Sequence, residues 1–130
     1  MAVLTHARLD RPRGGHAAPV ALLMVWCALL FFVGLGSGEL YRNEGLRALV
    51  ARELLRGGHW AVPTLHGEPL LTKPPGMSAA IALASLPAGR VSPASARLPS
   101  ALAATLTVLL FYATFARLLG RSAGLAAAVC

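Results

Sequence analysis

The sequence predicts an all-α integral membrane protein: about three transmembrane helices plus the start of a fourth, with an amphipathic surface helix in the first extracytoplasmic loop. Three observations predict it. Of 130 residues, 56% are hydrophobic and 13% charged, whereas a soluble domain is about 45–50% apolar and about 25% charged. Aromatic residues make up only 6%, so the apolar character comes from Ala, Leu and Val, which suit close-packed helices in lipid. Four acids, Glu39, Glu44, Glu53 and Glu68, fall in one short segment after the first apolar run, while Asp10 precedes that run.

Residues 1–16 read as a cytoplasmic leader carrying Arg8, Arg11 and Arg13. Residues 17–36, AAPVALLMVWCALLFFVGLG, hold no charge. About 20 such residues at ~1.5 Å rise cross a ~30 Å hydrocarbon core. The arginines ahead of this first transmembrane helix set the N-terminus in the cytoplasm. A cleaved signal peptide is the rival reading, but its apolar region runs only about 7–15 residues, so the length favours an uncleaved anchor.

Residues 37–75 then form an extracytoplasmic loop. Within it, residues 43–56 read as an amphipathic helix, with Leu46, Leu49, Val50 and Leu54 on one face. Asn43 suits the N-cap, Glu44 suits the positive end of the helix dipole, and Gly57-Gly58 ends the helix. Such a helix is expected to lie on the membrane with its apolar side in lipid. Pro63, Pro69, Pro74 and Pro75 make the rest of the loop irregular, and Trp60 suits the lipid–water boundary.

Residues 76–89 form a short second transmembrane segment, with Pro74-Pro75 as its first turn. Residues 97–116 form the third, and residues 123–130 look like the truncated start of a fourth. A helix abandoned in mid-membrane leaves carbonyls unsatisfied, so the chain reads as a fragment. Strict alternation over three spans puts Arg117 and Arg121 outside, against the positive-inside rule.

The net charge of +7 is nearly all arginine, and Lys73 is the only lysine. Arg over Lys with abundant Ala and Gly resembles the composition of a GC-rich bacterial genome, and with the apolar spans the expected location is the bacterial inner membrane. The arginines form no run, so no nucleic-acid partner is implied. Cys27 and Cys130 supply neither a disulfide framework nor metal-ligand spacing. No soluble cofactor motif is present, and a divalent metal is compatible with the pattern but not indicated by it.

Two polar clusters flank the loop: Arg42-Asn43-Glu44 after the first span and Thr72-Lys73-Pro74-Pro75-Gly76 before the second. A lysine offers a point charge for phosphate and a carboxylate can take a proton from an incoming hydroxyl. The competing account makes Asn43-Glu44 a helix cap and Lys73 a snorkelling anchor. His59 and His66 read more simply as solvated loop residues, Glu53 as the i,i+3 partner of Arg56, and Arg97 equally as a membrane anchor or a structural pair.

The order of these features resembles the polytopic glycosyltransferases of the GT-C fold, in particular lipid A aminoarabinose transferases and dolichyl-phosphate-mannose–protein mannosyltransferases. The matching stretches are RNEGLRALVARELLRGGHWAVPTLHGEPLLTKPPG and ARLPSALAATLTVLLFYATFARLLGRSAGLAAA. In them an acidic pair opening a surface helix corresponds to Asn43-Glu44. Ala51-Arg52-Glu53-Leu54, Trp60 to Pro63, Lys73-Pro74-Pro75 and Ala96 to Ser100 follow in the family's order. The resemblance implies transfer of a sugar from a polyprenyl-phosphate carrier to an extracytoplasmic acceptor, with membrane lipid as the other partner. It implies that Glu44 and Asn43 stand at the catalytic position and that Lys73 holds the carrier phosphate, with Arg42, Tyr41, Arg47 and His66 as further binding candidates. Position 43 is Asn where the family has an acid, and position 72 is Thr where it often has Glu. An amide cannot act as a base, so Glu44 is left as the carboxylate. The alternative is a catalytically inactive truncated remnant, or a small membrane protein binding lipid headgroups or a partner.

Overall fold

The computed structural model describes residues 17–58, 60–70 and 74–129. The leader, His59, Thr72, Lys73 and Cys130 therefore lie outside the described residues. The fold is mostly helical. Helix α1 spans Ala17–Cys27 and continues as one π-helical stretch, Ala28–Phe32. It ends four residues before the expected Gly36, because Gly34, at φ 78, turns the chain and Ser37 N–H closes onto the Gly34 carbonyl at 2.9 Å.

Helix α2, Asn43–Gly57, agrees closely with the expected helix. Gly58 terminates it at φ 67, a left-handed conformation that glycine adopts without steric cost, and its N–H bonds the Leu54 carbonyl. Asn43 is the first helical residue rather than the N-cap; that position is Arg42, at φ 42 and ψ −107. The buried face shares Val50 and Leu54 with the expected one but is shifted around the helix. Ala48, Val50, Ala51 and Leu54 are buried, whereas Leu49 remains 43% exposed. The small residues Ala48 and Ala51 admit a neighbouring helix more closely than Leu46 and Leu49 would.

That neighbour is α3, Gly76–Ser85, followed by a 3-10 turn, Leu86–Ala88. Ile81 and Ala82 of α3 and Ala96 of the next helix complete one apolar core with α2. Helix α4 runs Pro93–Leu119 and begins four residues before the expected 97. The reason is a capping box: Ser92 Oγ accepts from Ser95 N–H at 3.2 Å, and Ser92 N–H donates to Ser95 Oγ at 2.9 Å. Pro93 then fits the first helical position, where its missing N–H has no intrahelical role. Buried Ser85 Oγ lies 2.8 Å from Ser95 Oγ and 2.7 Å from the Ile81 carbonyl, which ties α3 to α4.

Helix α4, at 27 residues, is long and apolar enough to cross a membrane. Leu102, Leu106, Leu110 and Phe111 are at least half exposed on it, an apolar surface of the kind a soluble monomer rarely presents. Ala17–Phe32 and Gly76–Ala88 are shorter apolar helices. Val20 near the start of α1 shares a cleft with Tyr112, Ala116 and Arg117 near the end of α4, while the chain leaving α1 meets the start of α4 at Arg97. The two helices therefore run antiparallel.

Gly120, at φ 94 and ψ 170, separates α4 from α5, Arg121–Val129. Helix α5 folds back on α4, and Gly124 sits so close to Ala116 that an added Cβ would lie 2.8 Å from the Ala116 Cβ. The loop after α2 also holds regular structure that its prolines had argued against. Strands β1 (Thr64–Leu65) and β2 (Glu68–Pro69) pair antiparallel, Thr64 opposite Pro69 and Leu65 opposite Glu68. His66 at φ 56 and Gly67 at φ 83 supply the two positive angles of a tight hairpin turn, and Pro63 and Pro69 stand at strand ends, where no ladder donor is required.

Candidate functional site

Glu44 lies in the first turn of α2, where four backbone N–H groups lack intrahelical partners. Its carboxylate accepts from Arg97 Nη2 at 3.1 Å and faces Arg97 Nε at 3.4 Å. Arg97 reaches from the second turn of α4. Its other donors go to the carbonyls of Leu35 at 3.3 Å, Ser37 at 2.7 Å and Glu39 at 3.2 Å. A guanidinium has five N–H donors in a fixed fork, and here the fork knits the chain after α1 to the start of α2. Of the two readings open for Arg97, the structural pair is the observed one.

The Arg97 hydrogen bonds hold the Glu44 carboxyl below its ordinary value, helped by the Tyr41 backbone N–H and by the Arg97 charge, against a smaller opposing effect of desolvation. Such a carboxylate is charged and a weak base. Asn43 precedes it, and Arg42 lies over the Tyr41 ring with its guanidinium carbon 5.4 Å from the centroid, a cation–π contact. Tyr41, Arg42, Asn43 and Glu44 thus form one exposed cluster at the start of α2.

One turn further on, Leu46, Arg47 and Val50 line a groove of about 340 Å³ against Pro63, Leu70 and the Pro74–Ser78 start of α3. The groove is mostly apolar, with Arg47 at its edge, and Pro74 in its wall directly follows Lys73 in the chain. Pro74, Pro75 and Gly76, the described part of the second polar cluster, therefore lie against α2 about one turn beyond the first cluster.

His66 does not join them. Its backbone N–H donates to Glu53 Oε1 at 2.6 Å, and Thr64 Oγ1 donates to Glu53 Oε2 at 2.6 Å. Glu53 follows Glu44 by nine residues, about 14 Å along the helix. Glu53 was expected to pair with Arg56; it clasps the hairpin instead, because two short neutral donors meet its oxygens without ordering a long side chain. The Thr64 hydroxyl is the main cause of its lowered pKa, with the His66 and Gly67 N–H groups and the nearby His66 side chain adding to it. Among the described residues no three His, Cys, Asp or Glu side chains gather as metal ligands.

Residues 72–130 match the family model described as dolichyl-phosphate-mannose-protein mannosyltransferase. The matched part begins at Thr72-Lys73-Pro74-Pro75 and includes α3, α4 and α5, while Glu44 lies before it. No curated protein and no solved structure matches the chain.

Proposed function

We infer, from the match of residues 72–130 to the dolichyl-phosphate-mannose-protein mannosyltransferase family model, a membrane glycosyltransferase family of the GT-C type, that the chain is part of an enzyme moving a sugar from a polyprenyl-phosphate carrier to an extracytoplasmic acceptor. The observation that carries this reading is that the family match opens at Thr72, immediately before Lys73 and the Pro74 and Pro75 that line the α2–α3 groove. An isoprenoid chain suits the apolar walls of that groove, Arg47 suits the phosphate at its polar edge, and Lys73, next to Pro74 in the sequence, is the second cation proposed for that phosphate. Glu44 and Asn43 stand one turn away, where the acceptor would approach.

In this reading α1 and α4 are the crossing helices. Helix α3, at ten residues, reaches only about 15 Å, half a hydrocarbon core, and packs beside α2 at the outer surface. Two crossings instead of three return Arg117 and Arg121 to the side of the N-terminal arginines. This arrangement satisfies the positive-inside rule that strict three-span alternation violates.

The test is binding and transfer by the whole protein to which this chain belongs, purified in lipid nanodiscs, with a polyprenyl phosphate as binding probe and polyprenyl-phosphate hexoses and pentoses as donors. Lys73→Ala should weaken carrier binding about tenfold, since one charge-assisted phosphate contact contributes on that order. Carrier binding untouched by Lys73→Ala and Arg47→Ala together would sink the assignment. Asn43→Asp should raise transfer if a second carboxylate serves as base.

One observation favours the alternative, a membrane protein whose loop binds headgroups without catalysis: Arg97 already engages the Glu44 carboxylate, and position 43 offers only an amide. Normal carrier affinity with no transfer from any donor, in wild type and Asn43→Asp alike, would select it.

A further inference from the structure

The opposite end of α2 carries a second cleft, of about 270 Å³, lined by Arg52, Leu55, Arg56, Gly89, Arg90 and Val91. Leu55 and Val91 are partly buried against the core and form its apolar base. Three exposed arginines form its rim. Two come from successive turns of α2 and the third from the turn between α3 and α4, so the tertiary fold brings them together.

Among the described residues no carboxylate forms an ion pair with these like charges. Among the described residues the single ion pair is Arg97–Glu44, and neither Glu53 nor Glu44 is directed to this cleft. Arginines at i and i+4 on one helix face repel one another, and the third adds to that repulsion. Interaction with the negative end of α2 accounts for Arg56 in the last turn, but not for Arg90. Lipid snorkelling fits a lone arginine better than three drawn from two segments onto one opening. Three arginines lining one small pocket supply the kind of donors that phosphate accepts, since several guanidinium N–H groups can serve the oxygens of one tetrahedral anion.

We propose that the Arg52–Arg56–Arg90 cleft binds a phosphate group, with a phosphorylated lipid headgroup and a free soluble phosphate as its two sources. The site is separate from the α2–α3 groove and does not depend on that groove's function. Leu55 and Val91 leave room for the apolar stem of a headgroup behind the phosphate.

The test compares the intact chain with Arg90→Gln and with the Arg52→Gln/Arg56→Gln/Arg90→Gln variant. Native mass spectrometry counts phosphatidic acid retained from phosphatidylcholine nanodiscs containing it, and phosphorus NMR follows inorganic phosphate in lipid-free detergent. Wild type should retain phosphatidic acid, phosphate or both, and the probe retained identifies the source. The triple variant should lose at least about tenfold in affinity for that probe, with Arg90→Gln intermediate. Arg117→Gln, an exposed arginine at the far end of α4, serves as the charge-matched control and should bind as wild type. Unchanged thermal midpoints keep loss of fold from mimicking loss of site, and an Arg→Lys triple variant should recover part of the binding. Equal retention by wild type and the triple variant, or an equal loss in Arg117→Gln, would overturn the proposal.

Discussion

Arg97 of α4 and Glu44 of α2 stand 53 residues apart in the chain, and their side chains meet at 3.1 Å. The contact is one of several that Arg97 makes, the rest going to backbone carbonyls of the segment after α1. The arginine therefore orders a stretch of chain as well as a carboxylate.

Replacing Arg97 by Ala should cost about 1.5–3 kcal/mol, the range for hydrogen bonds to a charged group, towards the lower end because the side chain is one-quarter exposed. The coupling to Glu44→Ala in a double-mutant cycle should stay below about 1 kcal/mol, since Glu44 is 45% exposed. Thermal or denaturant unfolding in detergent supplies both numbers. A coupling equal to the whole Arg97 loss would mean that the carbonyl contacts contribute nothing.

Acid should loosen the α2 segment. Glu44 and Glu53 both have folded pKa values below their ordinary 4.5, so each stabilises the fold when ionised. That contribution is fully present above the ordinary value and disappears as pH falls through the lowered folded values. Unfolding midpoints measured from neutral pH downward should hold steady and then drop below about pH 4.5. Glu44→Gln and Glu53→Gln should each flatten the drop. A wild-type profile identical to those of both single variants would contradict the assignment.

The hairpin rests on a turn open to few residues. Gly67→Val places a β-branched side chain at φ 83, a genuine steric outlier, and should release β1–β2 from Glu53. Hydrogen exchange at Leu70 N–H, bonded to the Pro63 carbonyl at 2.8 Å, should accelerate while amides in α4 remain protected. Unchanged exchange at Leu70 would show that Glu53 alone holds the segment.

Gly124→Ala tests the α4–α5 contact. The new methyl would meet Ala116 Cβ at 2.8 Å and its backbone N at 2.9 Å, so the helices must separate. Overpacking of this kind costs about 1–3 kcal/mol, against a gain of up to about 1 kcal/mol from replacing glycine within a helix. The expected net result is a lower thermal midpoint. A rise would mean that α5 moves away freely.

Much of the helical scaffold was legible because it depends on local chemistry. Charge-free runs marked α1 and the centre of α4, and Gly57-Gly58 marked the end of α2. The early start of α4 was also written locally, in Ser92-Pro93 with Ser95, but Arg90 and Arg97 on either side masked it with the charge usual between two spans. What escaped was tertiary. The buried phase of α2 depends on where α3 packs, and Ala48 and Ala51 signal close approach only when a partner is known. Glu53 has Arg56 three residues away, yet Thr64 and the backbone of His66 claim its carboxylate through a hairpin whose turn residues, His66-Gly67, carry a weaker signal than Asn-Gly. The position of Arg97 was plain, and its role was not, because three of its partners are carbonyls with no signature in sequence.

Gly120 occupies a backbone region open essentially to glycine alone. Every glycine codon begins with two guanines, and any substitution at either base yields another amino acid or a stop. Two of the three nucleotides encoding this reversal between α4 and α5 are thus without a silent alternative. The bend is a point of genetic fragility disproportionate to the single hydrogen atom that constitutes its side chain.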